Sequence, residues 1–130
     1  MNARDRKIRR IADVQARLHR IAEWHLMECQ AKEQELEDRQ RRIIEGFNDD
    51  SKMAELLAQT ASRSLRAASV EQGIVATAKA GLSANVRGEG RKLKHVLRMV
   101  EEATGRALRD EQKRVLEDEI DKISRPAVGA

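Results

Sequence analysis

Apolar side chains recur every three, four or seven residues along this chain, from Ile8 to Ile123. That spacing places them on one face of an α-helix. The single proline is Pro126, so nothing interrupts the pattern before its end. The chain also has one Trp, one Phe and no Tyr, and it lacks the bulky side chains that fill a globular core. The pattern predicts an all-α protein built from long helices that pack side by side.

The turn signals divide the chain into two helices of unequal length. Asn2 is a capping residue, and Asp5 stands at the third helical position, so helix one is predicted over about residues 3–46. Gly46 is the predicted stop, and the polar residues that follow predict a turn at 47–50. Helix two is predicted over about residues 51–124. The expected fold is a long antiparallel helical hairpin, a coiled coil, in a single domain of residues 1–130.

Two glycines leave a second architecture open. Gly88 and Gly90 lie inside the predicted second helix, where each costs roughly 1 kcal/mol relative to alanine. A break near Gly88–Gly90 would turn the hairpin into a three-helix bundle. The apolar spacing continues across the glycines, and no Asn or Pro accompanies them, so the bent but continuous helix is favoured.

The apolar pattern also predicts which residues form the seam between the helices. On helix one these are Ile8, Ile11, Val14 or Gln15, Leu18, Ile21 or Ala22, His25, Cys29, Leu36, Ile43 and Phe47. On helix two they are Met53, Leu57, Ala61, Leu65, Ala68, Val75, Ala78, Leu82, Val86, Leu93, Leu97, Val100, Leu108, Val115 or Leu116, Ile120 and Ile123.

Charged residues make up 37% of the chain, with a formal net charge of +4, and they are unevenly distributed. Residues 1–20 and 87–98 are basic, whereas residues 28–38 and 110–121 are rich in acidic side chains. Mixed blocks of this kind favour a protein partner with complementary charge. We predict that Arg9 and Arg10 in the first basic cluster, and Arg91 and Lys94 in the second, bind such a partner. Nucleic acid is disfavoured, because no aromatic residues alternate with the basic ones and the acidic blocks repel phosphates.

Trp24 is the one large ring of helix one. A lone tryptophan on a helix is more often a buried structural residue, and that is the first interpretation. The alternative is an exposed anchor for a partner, and Trp24 is therefore included among the predicted partner-binding residues.

Few residue patterns in this chain point to chemistry. His25 and Cys29 lie one helical turn apart at metal-ligand spacing, but two side chains do not complete a site. We therefore place them in the seam and expect no metal, no cofactor and no catalytic residue. The chain is not expected to be an enzyme.

The location is expected to be cytoplasmic. The basic start is not followed by the apolar segment of a signal peptide, and no run of residues reaches the ~20 apolar positions that span a bilayer. One cysteine excludes an internal disulfide and fits a reducing compartment.

The chain resembles a known family over its whole length, in size, in architecture and in the texture of its charges. A short, Arg-, Glu- and Gln-rich antiparallel helical pair that starts with Arg-Asp-Arg-Lys-Ile-Arg-Arg-Ile (4–11) and ends in Leu-Arg-Asp-Glu-Gln-Lys-Arg-Val-Leu-Glu-Asp-Glu-Ile-Asp (108–121) is similar to the FliJ/YscO family, the stalk component of flagellar and virulence type III protein export machines. The resemblance implies a coiled-coil stalk in the pore of a hexameric export ATPase. It also implies contact with the export gate, which would place the protein peripherally at the membrane through its partners. The alternative functions are a cytoplasmic coiled-coil scaffold for another partner and a basic nucleic-acid-associated protein.

Overall fold

The chain is an all-α helical hairpin. The computed structural model describes residues 2–49 and 51–125, and the side chains of these residues outside 47–57. Helix α1 spans Ala3–Asp49 and helix α2 spans Ser51–Ser124, and the described residues contain no strand. The prediction of two long helices is confirmed.

Helix α1 starts where its cap predicts. The backbone N–H of Asp5 donates a hydrogen bond of 2.8 Å to Oδ1 of Asn2, which satisfies one of the free donors of the first turn. At the other end, α1 continues through Gly46 to Asp49, three residues beyond the predicted stop. One glycine costs a helix about 1 kcal/mol, which does not by itself end it. Residues 47–49 of the predicted turn are therefore helical, and residue 50 lies outside the described residues.

Helix α2 is continuous across Gly88 and Gly90, so the three-helix alternative is not adopted. The presence of glycine at position 90 has a structural explanation that the sequence alone did not reveal. A Cβ at this position would lie 3.3 Å from Nε2 of His19 on α1, whereas a Cβ at Gly88 would meet nothing within 4 Å. Gly90 thus makes room for the His19 ring, and Gly88 does not have such a role.

The hairpin divides into two compact units. Unit 1 combines Met1–Arg17 with Arg91–Ala130, and unit 2 is Leu18–Gly90. In both units, buried and half-buried side chains alternate at spacings of three and four residues, which is the heptad spacing of a coiled coil. On α1 these residues are Ile8, Ala12, Gln15, His19, Ala22, Leu26, Cys29, Glu33, Leu36, Gln40 and Ile43. On α2 they are Ala61, Leu65, Ala68, Gln72, Val75, Lys79, Leu82, Val86, Glu89, Leu93, Val96, Val100, Ala103 and Ala107.

This seam is made largely of small and polar side chains, and several seam predictions are wrong. Leu18 and Leu97 are 45% and 48% exposed. Ile11 and His25 are also exposed, and Ala12 is buried in place of Ile11, one residue away in sequence. Where two neighbours were predicted, Gln15 and Ala22 lie in the seam, and Val14 and Ile21 are exposed. The large aliphatic residues of α1 consequently flank the seam.

On α2 the predicted seam does not reach the end of the helix, because the following predicted residues are exposed: Ala78, Leu108, Val115, Leu116, Ile120 and Ile123. The side chains of Phe47, Met53 and Leu57 lie outside the described residues.

Polar contacts cross the seam of unit 2 at regular intervals. Nε2 of Gln40 donates to Oε1 of Gln72 at 3.2 Å, and Nζ of Lys79 lies 3.0 Å from Oε1 of Glu33. Glu33 precedes Gln40 by seven residues, and Lys79 follows Gln72 by seven. The two pairs are therefore one heptad apart in an antiparallel pairing.

Candidate partner-binding surface

The four basic residues predicted to bind a partner all lie in unit 1, and all are exposed. Nη2 of Arg9 donates to Oγ1 of Thr104 on α2 at 3.3 Å. Thr104 follows Lys94 by ten residues, or about 15 Å along a helix. Arg9 therefore lies at a different level of unit 1 from Arg91 and Lys94. The structure separates the predicted residues into two basic regions.

The basic region on α1 includes exposed apolar side chains that the sequence had assigned to the seam. Lys7, Arg10, Ile11 and Val14, which we call the basic–apolar patch, line a shallow groove of about 250 Å³ together with Gln15. Ile11 and Val14 are about half exposed. Among the described residues, no acidic side chain forms an ion pair with Lys7 or Arg10. Exposed aliphatic groups beside unpaired cations suit the binding of an acidic, partly apolar protein segment.

Trp24 lies in unit 2 and is 54% exposed, so the first interpretation, a buried structural ring, is wrong. It is two residues after the seam residue Ala22 and two before the seam residue Leu26, which on a helix of 3.6 residues per turn places it on the face opposite the seam. Its ring meets the ring of His25 edge-on, with centroids 5.2 Å apart. An exposed tryptophan is a suitable anchor for a partner, because large rings bury much area at low entropy cost.

The pair of His25 and Cys29 separates into two environments. Sγ of Cys29 donates to the backbone carbonyl of Val75 at 3.6 Å, which confirms its place in the seam. His25 is exposed and contacts Trp24, so its predicted seam position is wrong. Across residues 2–49 and 51–125, no group of three or more His, Cys, Asp or Glu side chains is arranged to hold a metal ion.

Unit 2 contains an apolar groove that the sequence interpretation missed. It has a volume of about 400 Å³, and its apolar walls include Ile43 and Ile44 of α1 and Ala58, Ala61 and Leu65 of α2. The adjacent residues Ile43 and Ile44 are the sequence feature that could have predicted this groove. Adjacent residues of a helix are rotated by about 100°, so the two cannot both face the seam. Ile43 is half-buried and Ile44 is exposed.

Neither helix, over its described residues, has a segment apolar enough to cross a membrane. Comparison of the chain with protein-family models, curated proteins and solved structures gave no match.

Proposed function

We propose that this chain is a cytoplasmic coiled-coil stalk or adaptor that acts by binding other proteins. The partner proposed first is the hexameric ATPase of a flagellar or virulence type III export system. The observation that carries the proposal is the basic–apolar patch, where Lys7 and Arg10 lie beside exposed Ile11 and Val14.

The patch supports protein binding because it combines the two components of a specific interface. Exposed Ile11 and Val14 supply apolar area, which drives association. Lys7 and Arg10 supply charge, which steers an acidic partner and favours its correct orientation. Nucleic acid would use the cations but would leave the aliphatic groups without a role.

The fold supports a stalk in particular. A component held inside a ring needs long helices with polar exteriors, and α1 and α2 have 47 and 74 residues. Contact with the export gate, and through it a peripheral position at the membrane, belongs to the same proposal.

A binding assay with the purified export ATPase from the same organism tests the proposal. We expect the chain to bind the ATPase, and the double variant Arg9→Glu with Arg10→Glu to weaken binding by about tenfold or more. Ile11→Ser with Val14→Ser should have a comparable effect. The matched control is Arg42→Glu with Arg63→Glu, two exposed arginines of unit 2, which changes the net charge equally and should leave binding intact.

A second set of variants separates the two basic regions. Arg91→Glu with Lys94→Glu reports whether the α2 region contributes, and Trp24→Ala reports on the exposed ring. Wild-type binding by the Arg9/Arg10 and Ile11/Val14 variants would exclude the basic–apolar patch. Failure of the wild-type chain to bind the ATPase would exclude that partner. Binding of unrelated duplexes with a steep salt dependence, abolished by the same charge reversals, would instead support a nucleic-acid function.

A further inference from the structure

Unit 1 contains a groove that the proposed function does not use. It has a volume of about 690 Å³ and lies between the start of α1 and residues 104–114 of α2. Three acidic residues line it, Asp5 of α1 and Asp110 and Glu111 of α2, and we call it the acidic groove. Among the described residues that line it, Arg114 is the only basic one. The walls of the groove therefore carry an excess of negative charge.

Asp5 is the buried carboxylate of the acidic groove. Only 7% of this residue is exposed, and it is the one buried charged residue in the described part of the chain. In that part of the chain, no Lys, Arg or His side chain forms an ion pair with it. Its hydrogen bond to Asn2 is made by the backbone N–H and not by the carboxylate. A buried carboxylate without a partner is costly, so a cation beside Asp5 would be stabilising.

Two features near Asp5 favour its negative charge without pairing it. The N-terminal end of the α1 dipole is positive, and Asp5 lies in the first turn. Arg9 follows Asp5 by four residues, the spacing of a helical ion pair, but its Nη2 donates to Oγ1 of Thr104 at 3.3 Å instead. No side-chain oxygen of the described residues is both shut off from solvent and without a partner, so the Asp5 oxygens are reached through the acidic groove. The carboxylate is thus open to a cation from another molecule.

The lining of the acidic groove fits the chemistry of an arginine side chain. Ala107 and Leu108 supply apolar surface, against which the aliphatic part of an arginine can pack. The guanidinium has five N–H donors in a planar fork, which can donate to Asp5 and to a second carboxylate at once. A metal ion fits less well, because no group of three or more His, Cys, Asp or Glu side chains among the described residues is arranged to hold one.

We propose that the acidic groove binds an arginine side chain of a partner protein. This site is separate from the basic–apolar patch, which takes an acidic segment, and it does not depend on the identity of the ATPase. Residues 1–20 are basic overall, so long-range attraction does not draw a basic segment to this part of the chain. Recognition therefore depends on contact with the groove itself, and one arginine in an otherwise neutral segment is sufficient.

An NMR titration of the full chain, labelled with ¹⁵N, tests the site. The probe is the neutral-flanked peptide acetyl-Ala-Gly-Arg-Gly-Ala-amide. Its matched control carries citrulline, which has nearly the shape of arginine but no charge. We expect the backbone amide signals of Asp5, Thr104 and Glu111 to shift with the arginine peptide and to saturate with a dissociation constant in the millimolar range. The citrulline peptide should cause no saturable shift.

Three variants test the residues. Asp5→Asn keeps the size of the side chain and the backbone N–H that bonds to Asn2, and it should raise the dissociation constant by about tenfold or more. Asp110→Asn with Glu111→Gln alters exposed residues of the groove and should also weaken binding. The matched control, Asp118→Asn, removes an exposed acidic charge of α2 outside the groove and should leave binding unchanged. Circular dichroism verifies that the helix content of each variant is retained.

Four results would overturn the proposal. One is the absence of a saturable shift with the arginine peptide up to about 20 mM, well above the expected constant. Another is unchanged binding by Asp5→Asn. The third is the same set of shifts with Ca²⁺ or with the citrulline peptide. The fourth is a sedimentation mass that doubles for the wild-type chain but not for Asp5→Asn, which would show that a second copy occupies the groove. A chain that binds the peptide but not the export ATPase would contradict only the proposed function.

Discussion

Alanine substitution at Gly88 and at Gly90 should have different effects on stability, although the two glycines are a single residue apart in one continuous helix. Alanine is favoured over glycine by about 0.8–1.0 kcal/mol inside a helix. At Gly88 the new methyl group meets nothing within 4 Å, so Gly88→Ala should raise the free energy of unfolding by about that amount. For a chain of this size the melting temperature should rise by about 4 °C.

At Gly90 the same gain is opposed by a steric cost. The new Cβ would lie 3.3 Å from Nε2 and 3.7 Å from Cδ2 of His19. The ring is restrained because its Nδ1 lies 3.0 Å from Oε1 of Glu23. A neighbour at 3.3 Å has to shift by a few tenths of an ångström, and strain of this kind opposes the gain in helix propensity. Gly90→Ala should therefore be less stable than Gly88→Ala, by about 1 kcal/mol.

Thermal and urea unfolding followed by circular dichroism measure both variants, and a double-mutant cycle assigns the cause. In a His19→Ala background, Gly90→Ala should regain the stabilisation seen at Gly88, because its steric partner is gone. Equal stabilisation by both substitutions in the wild-type background would refute the reasoning. So would a Gly90 penalty that persists without His19.

Three further predictions concern the seam and its flank. Leu36→Ala, at a site only 2% exposed, should lower the free energy of unfolding by about 2–4 kcal/mol, whereas Leu18→Ala should lower it by less than about 1 kcal/mol. Similar losses for both variants in urea unfolding would contradict the observed seam. Trp24→Ala should change the free energy of unfolding by less than about 1 kcal/mol, since the ring is exposed. A decrease of more than about 3 kcal/mol would show that the ring is buried in solution. Gln40→Leu with Gln72→Leu should raise the melting temperature, because a half-buried polar pair is replaced by apolar contact. A lower melting temperature would contradict this.

The sequence was sufficient to predict the class of fold and the start of α1. Those features depend on local rules: periodicity, the absence of proline before Pro126 and the Asn2 cap. The end of α1 was predicted less well, because one glycine weakens a helix without ending it. The role of Gly90 could not be predicted, since it depends on the ring of His19, which is distant in sequence.

The seam was predicted only in part because α1 contains two apolar stripes. One stripe runs through Ile11, Val14, Leu18 and Ile21, and the other through Ala12, Ala22 and Leu26. Hydrophobicity alone favours the first stripe, since its side chains are larger. The structure places the second stripe in the seam, where Ala12 and Ala22 are buried, and Ala68 and Ala103 of α2 are buried as well. Because the second stripe forms the seam, Ile11 and Val14 of the first stripe remain exposed beside Arg10. The wrong seam prediction and the failure to predict apolar residues in the candidate site therefore have the same cause.

The repeating heptads of the seam raise the question of what fixes the pairing of the two helices in unit 2. Apolar seam residues recur every seven positions, so sliding one helix by a heptad would again bring apolar side chains together at most levels. The polar pairs are not interchangeable. A slide of seven residues that brings Gln72 opposite Glu33 would remove Lys79 from Glu33, leaving a half-buried carboxylate without its cation. It would also place Gln40 against Leu65 instead of Gln72. Because an unpaired polar group in a seam costs more than a surface pair contributes, these two contacts select one register among several that the apolar residues would tolerate.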